Sequence, residues 1–296
     1  MVNVREKKIG NKTYYYLEHS IRENNNVKKK ELYLGKTIPK NIDKLKQEFL
    51  FNINKDKWYK SLEKIKHNFS KEESKTPKIA IEKQIEAFAI KFTYDTQKIE
   101  GSTLTLKEIA NLLEYNITPR NRPIEEVKET EAHKKVFYEI LEYKKDLSLQ
   151  IILYWHKKLF EETKKEIAGK IRTHQVAIAR SKFIPPFPAE IYPLIREFFK
   201  WYEGNKNKLN PVELSTLVHL KFVTIHPFSD GNGRISRLIM NFILNKNKYP
   251  MLNISYKNRD SYYISLERSQ INKNDNIFLN WVIKRYLKDN KIYLKL

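Results

Sequence analysis

Apolar residues at helical spacing run through most of residues 79–290, and this pattern restricts the fold more than any other feature of the chain. Ile81, Ile85, Phe88, Phe92 and Ile99 follow the spacing i, i+4, i+7, i+11 and i+18, which places them on one face of a helix that Gly101 would end. Further helical patterns cover 106–115, 124–145, 149–162, 210–224, 231–245, 260–270 and 275–286. The sequence therefore predicts a mainly α-helical core.

Two of these helix starts carry capping signals. Thr105, with Glu108 three residues later, forms a possible capping box. Asn210 offers a capping side chain and Pro211 suits the first helical position. The helical pattern breaks over 169–187, where β-branched residues precede two prolines. We expect a short β-hairpin or an extended flap in that segment.

The first 78 residues have a different character. Two strand-like runs, TYYYLEHS and KKKELYLG, flank the turn-prone IRENNNV and predict a β-hairpin within residues 12–35. Apolar spacing over 45–65 predicts one long helix, which would end before the polar, proline-containing KEESKTP. We therefore expect three parts: a basic β-hairpin element of unknown role (1–45), a connecting helix and linker (46–78), and the helical domain (79–296).

Composition narrows the chemistry. The chain has no cysteine, which excludes disulfides, thiolate metal sites and cysteine nucleophiles. Its formal net charge of +22 fits a nucleic-acid partner or an acidic protein partner, or merely the lysine-rich usage of an AT-rich genome. We see neither a secretory signal nor an apolar run long enough to span a bilayer, and we expect a cytoplasmic protein without membrane contact.

The most informative stretch is HPFSDGNGRISR, which begins at His226 and ends at Arg237. Glycines at a helix start let backbone N–H groups approach phosphate oxygens, and Arg234 and Arg237 can each bind phosphate through two nitrogens. Asp230 could hold a Mg²⁺ ion that bridges phosphates. His226 is suited to take a proton from an attacking hydroxyl near neutral pH. Each feature alone is more often an ordinary turn, helix cap or surface histidine.

Taken together, these residues match the whole pattern H-x-F-x-[D/E]-G-N-G-R-x-x-R, and the chain resembles the Fic proteins. The resemblance extends over roughly residues 80–290 and includes the flap GKIRTHQVAIARSKFIPPFPAEI and the helix RDSYYISLERSQ. It implies a Fic-type helical core with a β-hairpin flap, preceded by the small β element and the linker helix.

The resemblance also implies roles for particular residues. His226 would be the general base and Asp230 the Mg²⁺ ligand. The flap would hold the target segment by β-augmentation. The ATP site would comprise Glu100, Ile178, Ala179, Arg180, Ser181, Asp230, Gly231, Asn232, Gly233, Arg234, Ile235, Ser236, Arg237, Tyr262, Tyr263 and Gln270. For the pair Tyr262 and Tyr263, core packing is the alternative interpretation.

The segment from Thr96 to Gly101 resembles the inhibitory motif [S/T]-x-x-x-E-[G/N] of the family. Thr96 and Glu100 are four residues apart and share one helix face. A carboxylate paired with Arg237 would occupy the γ-phosphate position and repel an incoming phosphate. The alternative is that Glu100 is an ordinary carboxylate at a helix end.

The resemblance predicts transfer of AMP from ATP to a Ser, Thr or Tyr hydroxyl of a target protein or of this chain itself, with autoinhibition by Glu100. Gly233 distinguishes the chain from a related subgroup that has lysine there and transfers phosphate. Two alternatives stay open: removal of AMP from a modified protein, and an inactive adaptor or nucleic-acid-binding protein that uses the basic N-terminal region. A homo-oligomer is also possible.

Overall fold

A computed structural model describes residues 2–23, 26–179 and 181–295. The strands are β1 (Asn3–Ile9), β2 (Lys12–Glu23) and β3 (Asn26–Gly35). The helices in the described part are α1 (Ile42–Glu73), α2 (Lys78–Ile99), α3 (Leu106–Tyr115), α4 (Ile124–Glu142), α5 (Leu149–Phe160), α6 (Pro188–Asn205), α7 (Pro211–Ile225), α8 (Asn232–Lys246), α9 (Arg259–Ile271), α10 (Asp275–Asp289) and α11 (Lys291–Lys295).

The predicted fold class, a mainly α protein with a small N-terminal β element, is confirmed. The element has three strands where the sequence predicted two, in the antiparallel order β1-β2-β3. The first strand, NVREKKI, has too few apolar residues to stand out as a strand in the sequence. Helix α1 also runs further than predicted, into the KEESKTP segment, because Lys and Glu favour helices and only Pro77 prevents continuation.

The chain divides into two compact units, Met1–Glu63 and Lys64–Leu296, with the boundary inside α1. In the second unit the helices surround a large apolar core in which α7 and α8 are almost completely buried. The loop 226–231 joins these two helices. Its position is therefore determined by the best-packed part of the molecule.

Local signals determine several helix ends. Thr105 accepts a hydrogen bond from the Glu108 N–H while the Glu108 side chain accepts one from the Thr105 N–H, so the predicted capping box is present. Asn210 caps α7 and Pro211 occupies its first turn, also as predicted. Over 170–187 the described residues form no strand. The prediction of a β-hairpin flap is therefore wrong for the described residues, which form an extended flap; Pro185 and Pro186 lack the N–H donors that strand pairing needs.

Candidate active site

The loop between α7 and α8 is held in a tight conformation. His226 ends α7 with φ 51°, and Gly231 precedes α8 with φ 81°. The Asn232 side chain accepts a hydrogen bond from the Phe228 N–H at 2.9 Å and donates one to the Phe228 carbonyl at 2.8 Å. A Cβ on Gly231 would lie 2.5 Å from the Phe160 ring. The loop therefore requires glycine at 231 and an amide side chain at 232.

The surroundings of His226 determine which of its ring nitrogens can act as a base. Nδ1 lies 3.1 Å from the carbonyl oxygen of Val223. Because a carbonyl can only accept a hydrogen bond, Nδ1 carries the proton and Nε2 keeps its lone pair. Burial lowers the pKa of the His226 imidazole, and the nearby Arg172 cation acts in the same direction. His226 is therefore a neutral proton acceptor at neutral pH.

The start of α8 combines a helix N-terminus with two arginines, a combination that suits an anion. Gly231 is buried and Gly233 is partly buried, and Arg234 and Arg237 follow on the same helix, both almost completely buried. The side chains of Ile235 and Ser236 also lie in the protein interior, but Ile235 is apolar and the Ser236 hydroxyl already donates to the Gly233 carbonyl. Of the predicted ATP-site residues, these two could contact a nucleotide only through their backbone.

Arg234 is the centre of a charged network. Its guanidinium pairs with Glu129 and lies 3.0 Å from Asp230, and its carbon lies 4.6 Å from the centre of the Phe160 ring. Lys164 contacts Asp230 at 2.7 Å and Glu129 at 3.2 Å. Burial alone would raise the pKa of Asp230, but Arg234 and Lys164 outweigh it and hold the pKa at about 2. Asp230 is therefore an ionised carboxylate that is already paired with two cations.

These groups line a polar cavity of 230 Å³. Gln97, Glu100 and Ser102 form the side made by α2 and the loop that follows it, and Lys164, Asp230 and Arg234 form the opposite side. In the described part of the chain no three His, Asp or Glu side chains are grouped as a complete metal site. Asp230 alone still fits Mg²⁺, which is often held by one carboxylate together with phosphate oxygens and water.

Glu100, which lines this cavity, forms an ion pair with Arg237. The Glu100 Oε1 lies 2.6 Å from Arg237 Nη2, which also donates to the carbonyl of Thr96 at 3.3 Å. The Arg237 side chain is 1% exposed and that of Glu100 is 31% exposed. Gly101, with φ 104°, follows Glu100 at the end of α2. The carboxylate thus occupies the guanidinium face that a phosphate would need.

The three predicted ATP-site residues of α9 lie in different surroundings. Tyr262 is 1% exposed, and its hydroxyl lies 3.0 Å from His219 Nε2, so its ring belongs to the core. Tyr263 is 41% exposed and donates a hydrogen bond to the Ile99 carbonyl. Gln270 donates to the Thr224 hydroxyl at 3.2 Å, and both residues line a largely apolar cavity of 390 Å³.

The flap is tied to the loop 226–231 and to α9. Arg172 donates to the carbonyls of His226, His174 and Pro186, and its backbone N–H donates to Pro227. Further along, Glu267 accepts hydrogen bonds from the Ser181 hydroxyl and the Lys182 N–H. Ile178 and Ala179 precede this anchor with partly or fully exposed side chains, whereas Arg180 lies outside the described residues.

The structure adds four residues that sequence patterns did not indicate. His156 Nδ1 accepts from the Gly169 N–H and Nε2 donates to the Asp230 carbonyl, while its ring stacks on Phe228 at 3.8 Å between centroids. The other three residues are Glu129 and Lys164, which contact Arg234 and Asp230, and Glu267, which holds the flap. Each lies on an otherwise ordinary helix or loop, and only the fold brings it to the site.

Comparisons with known proteins agree with this geometry. Residues 146–244 match the Fic/DOC family. The protein adenylyltransferases Fic of Drosophila sechellia and Drosophila melanogaster are each 33% identical over 174 residues, which cover 57% of this chain and 35% of the relative. The chain thus spans about a third of the length of these curated relatives.

Solved structures show the same fold. A Fic domain containing signaling protein from Bacteroides thetaiotaomicron has a TM-score of 0.70 and 25% identity, over 78% of this chain and 97% of that one. Fic-1 from C. elegans has a TM-score of 0.72 and 22% identity, over 87% of this chain and 78% of that one. Residues 146–244 are thus similar to Fic domains, in agreement with the motif at 226–237. Among the described helices, none is long and apolar enough to cross a membrane.

Proposed function

We propose that this protein transfers AMP from ATP to a hydroxyl group of a target protein. The observation that carries the proposal is the position of His226, an uncharged imidazole with a free Nε2, directly before the anion site at the start of α8. Five residues of rigid loop separate this base from the phosphate site. The base is therefore placed to deprotonate a hydroxyl that lies beside a bound phosphate.

In the proposed reaction the target oxygen attacks the α-phosphorus while His226 Nε2 takes its proton. The bond between the α-phosphorus and the oxygen that bridges to the β-phosphorus breaks, and pyrophosphate leaves. Arg234 and the N-terminal backbone of α8 stabilise the charge that develops on the phosphates. Asp230 would hold Mg²⁺, which neutralises phosphate charge when bound. The names of the Drosophila relatives support adenylyl transfer as the reaction.

Gly233 supports this reaction over transfer of the terminal phosphate. A Cβ at this position would lie 2.2 Å from Glu100 Oε1 and 3.2 Å from Arg237 Nη1, so only glycine leaves this side of the helix start free. A lysine side chain there would fill the place of a β- or γ-phosphate.

We further propose that Glu100 inhibits this activity. Its carboxylate already occupies Arg237 and adds negative charge to the cavity where the terminal phosphate would lie. ATP can then bind productively only if Glu100 moves away. Because the same carboxylate faces the cavity, it could also orient a water molecule that removes AMP from a modified target.

The accepting residue would be a Ser, Thr or Tyr of a segment that lies along the flap. Before the anchor at Glu267, Ile178 is partly exposed and Ala179 is exposed, and further along the flap Ile184 is 76% exposed. An extended flap of this kind can pair with an extended peptide by strand addition. Self-modification needs a flexible segment of this chain to reach the same place.

The proposed reaction can be tested with ATP that is labelled at different phosphates. Glu100→Gly protein is incubated with Mg²⁺, a cell extract and ATP that carries the label on either the α- or the γ-phosphate. We expect protein-bound label above that of the extract alone from α-labelled ATP only, and none above it from either nucleotide with the double variant Glu100→Gly, His226→Ala. Label from γ-labelled ATP above that of the extract alone would show phosphorylation instead. Absence of label from both would overturn the enzymatic proposal.

A further inference from the structure

The N-terminal sheet has two chemically different faces. On one face Val4, Leu17 and Leu32 are in register, and Leu17 is completely buried. The opposite face carries the side chains that alternate with these. Its aromatic members are Tyr14, Tyr16 and Tyr33, and we call it the tyrosine face.

The three tyrosines form one cluster that reaches solvent. The ring centres of Tyr16 and Tyr33 are 5.3 Å apart and those of Tyr14 and Tyr33 are 6.1 Å apart. Tyr33, on the edge strand β3, is 53% exposed. Grouped aromatic rings on an open sheet surface provide flat apolar area that a partner ring can cover.

Cations surround this cluster on the same face. Lys7 lies 4.6 Å from the centre of the Tyr16 ring. Arg5 and Lys29 flank Glu18, and their side chains are 52% and 53% exposed. Lys12 is also exposed beside Tyr14. Among its described side chains this face therefore carries more cations than carboxylates: Arg5, Lys7, Lys12 and Lys29 against Glu18 and Glu31.

The cations on the tyrosine face pair with glutamates but reach solvent. Lys7 pairs with Glu31 at 2.6 Å, and Arg5 and Lys29 pair with Glu18, whose own side chain is 16% exposed. Ion pairs with an exposed cation contribute little to stability, so a phosphate group can join or replace the glutamate as the partner of Arg5 or Lys29. The face therefore offers rings and available cations side by side, within three strands that lie about 4.8 Å apart.

We infer that the tyrosine face binds single-stranded nucleic acid. Unpaired bases would stack on Tyr33 and its neighbours, and the phosphates would contact Arg5, Lys7 and Lys29. Sheets with exposed rings commonly bind two or three unpaired bases in this way, whereas in a duplex the base faces are covered by their neighbours. An acidic polypeptide would satisfy the cations but would leave the rings without partners.

Fluorescence anisotropy with a labelled oligothymidine of about 15 nucleotides tests this on the full chain. We expect binding that weakens as salt rises. Tyr33→Ala should lower the affinity roughly tenfold, since one base-ring stack is worth about 1–3 kcal/mol, and Tyr33→Phe should retain it. Lys29→Ala should reduce the slope of log affinity against log salt by about 0.7.

Lys30→Ala is the matched control. It removes the same charge from the next residue of β3, but Lys30 pairs with His19 and points to the opposite face. We expect it to change affinity much less than Lys29→Ala does. The inference fails if no binding occurs at low salt, if the duplex of the same sequence binds more tightly, or if Lys30→Ala and Lys29→Ala act equally while Tyr33→Ala has no effect. Circular dichroism of each variant reports whether the sheet is intact.

Discussion

Glu100 and Arg237 lie 2.6 Å apart although 136 residues separate them in the sequence, and the guanidinium is the more deeply buried of the two. Removing one member of a buried pair leaves an uncompensated charge. We therefore expect Glu100→Gly to lower the melting temperature of the protein without nucleotide, because Arg237 then keeps only neutral partners. ATP should stabilise this variant more than it stabilises the wild type, since a phosphate restores the missing negative charge. Thermal unfolding with and without ATP measures both effects.

The matched control for that comparison is Glu114→Gly. Glu114 is an exposed carboxylate in the last turn of α3, away from the site. Its loss should leave the stabilisation by ATP unchanged. Equal stabilisation of wild type and Glu100→Gly by ATP would contradict the proposed competition for Arg237.

Gly233→Ala tests the close packing of the same pair. The added Cβ would meet the Glu100 carboxylate, which is absent in the Glu100→Gly variant. We expect Gly233→Ala to cost more stability in the wild type than in Glu100→Gly, with a coupling energy of about 1 kcal/mol or more. Urea unfolding of the four proteins of this double-mutant cycle gives the value. Additive effects would mean that the two residues do not interact.

Lys164 makes a separate prediction about metal binding. Its ammonium lies 2.7 Å from Asp230, where a divalent cation would compete with it. We expect Lys164→Ala to bind Mn²⁺ in the presence of a nonhydrolysable ATP analogue at least about threefold more tightly than the wild type, as the loss of one exposed ion pair permits. Lys158→Ala, which breaks the pair with Glu161 at the end of α5, is the control. Weaker Mn²⁺ binding by Lys164→Ala in electron paramagnetic resonance would show that Lys164 assists the metal.

The buried His156 makes stability depend on pH. Burial lowers its pKa to about 4 in the folded protein, against about 6.5 in the unfolded chain. The unfolded chain therefore binds a proton first as pH falls below 6.5, and folding loses up to about 2 kcal/mol from this residue between pH 7 and pH 5. Glutamine at this position keeps an N–H donor and an acceptor but does not titrate. The free energy of unfolding of His156→Gln should therefore fall less than that of the wild type between pH 7 and pH 5. An equal loss in urea unfolding would assign the pH dependence to other groups.

Sequence reasoning identified the elements whose signals are local. The motif from His226 to Arg237, the capping box at Thr105 and the start of α7 are all contained in a few consecutive residues, and the structure has them where they were predicted. The strand β1 escaped prediction because it alternates charged residues with few apolar ones. The end of α1 was predicted too early for a similar reason, because its last turn is polar.

The partners of the motif could not be predicted because they come from distant parts of the chain. His156 follows Trp155 on a helix whose spacing resembles that of any core helix, and nothing local shows that its ring supports the Asp230 carbonyl. Glu129 and Lys164 are unremarkable charged residues until the fold places them beside Arg234 and Asp230. The ion pair of Glu100 with Arg237 was anticipated only through the family resemblance.

The most direct test of the account is the rate at which AMP is incorporated into protein from α-labelled ATP by wild type, Glu100→Gly and the control Glu114→Gly. We expect Glu100→Gly to be at least about tenfold faster than the other two, because about 1.4 kcal/mol of competition at Arg237 corresponds to that factor. We also expect the Glu100→Gly rate to fall only at pH values below the ordinary range of histidine titration, since the pKa of His226 is lowered. Equal rates for all three proteins would contradict the claim that Glu100 restrains an AMP-transferring site.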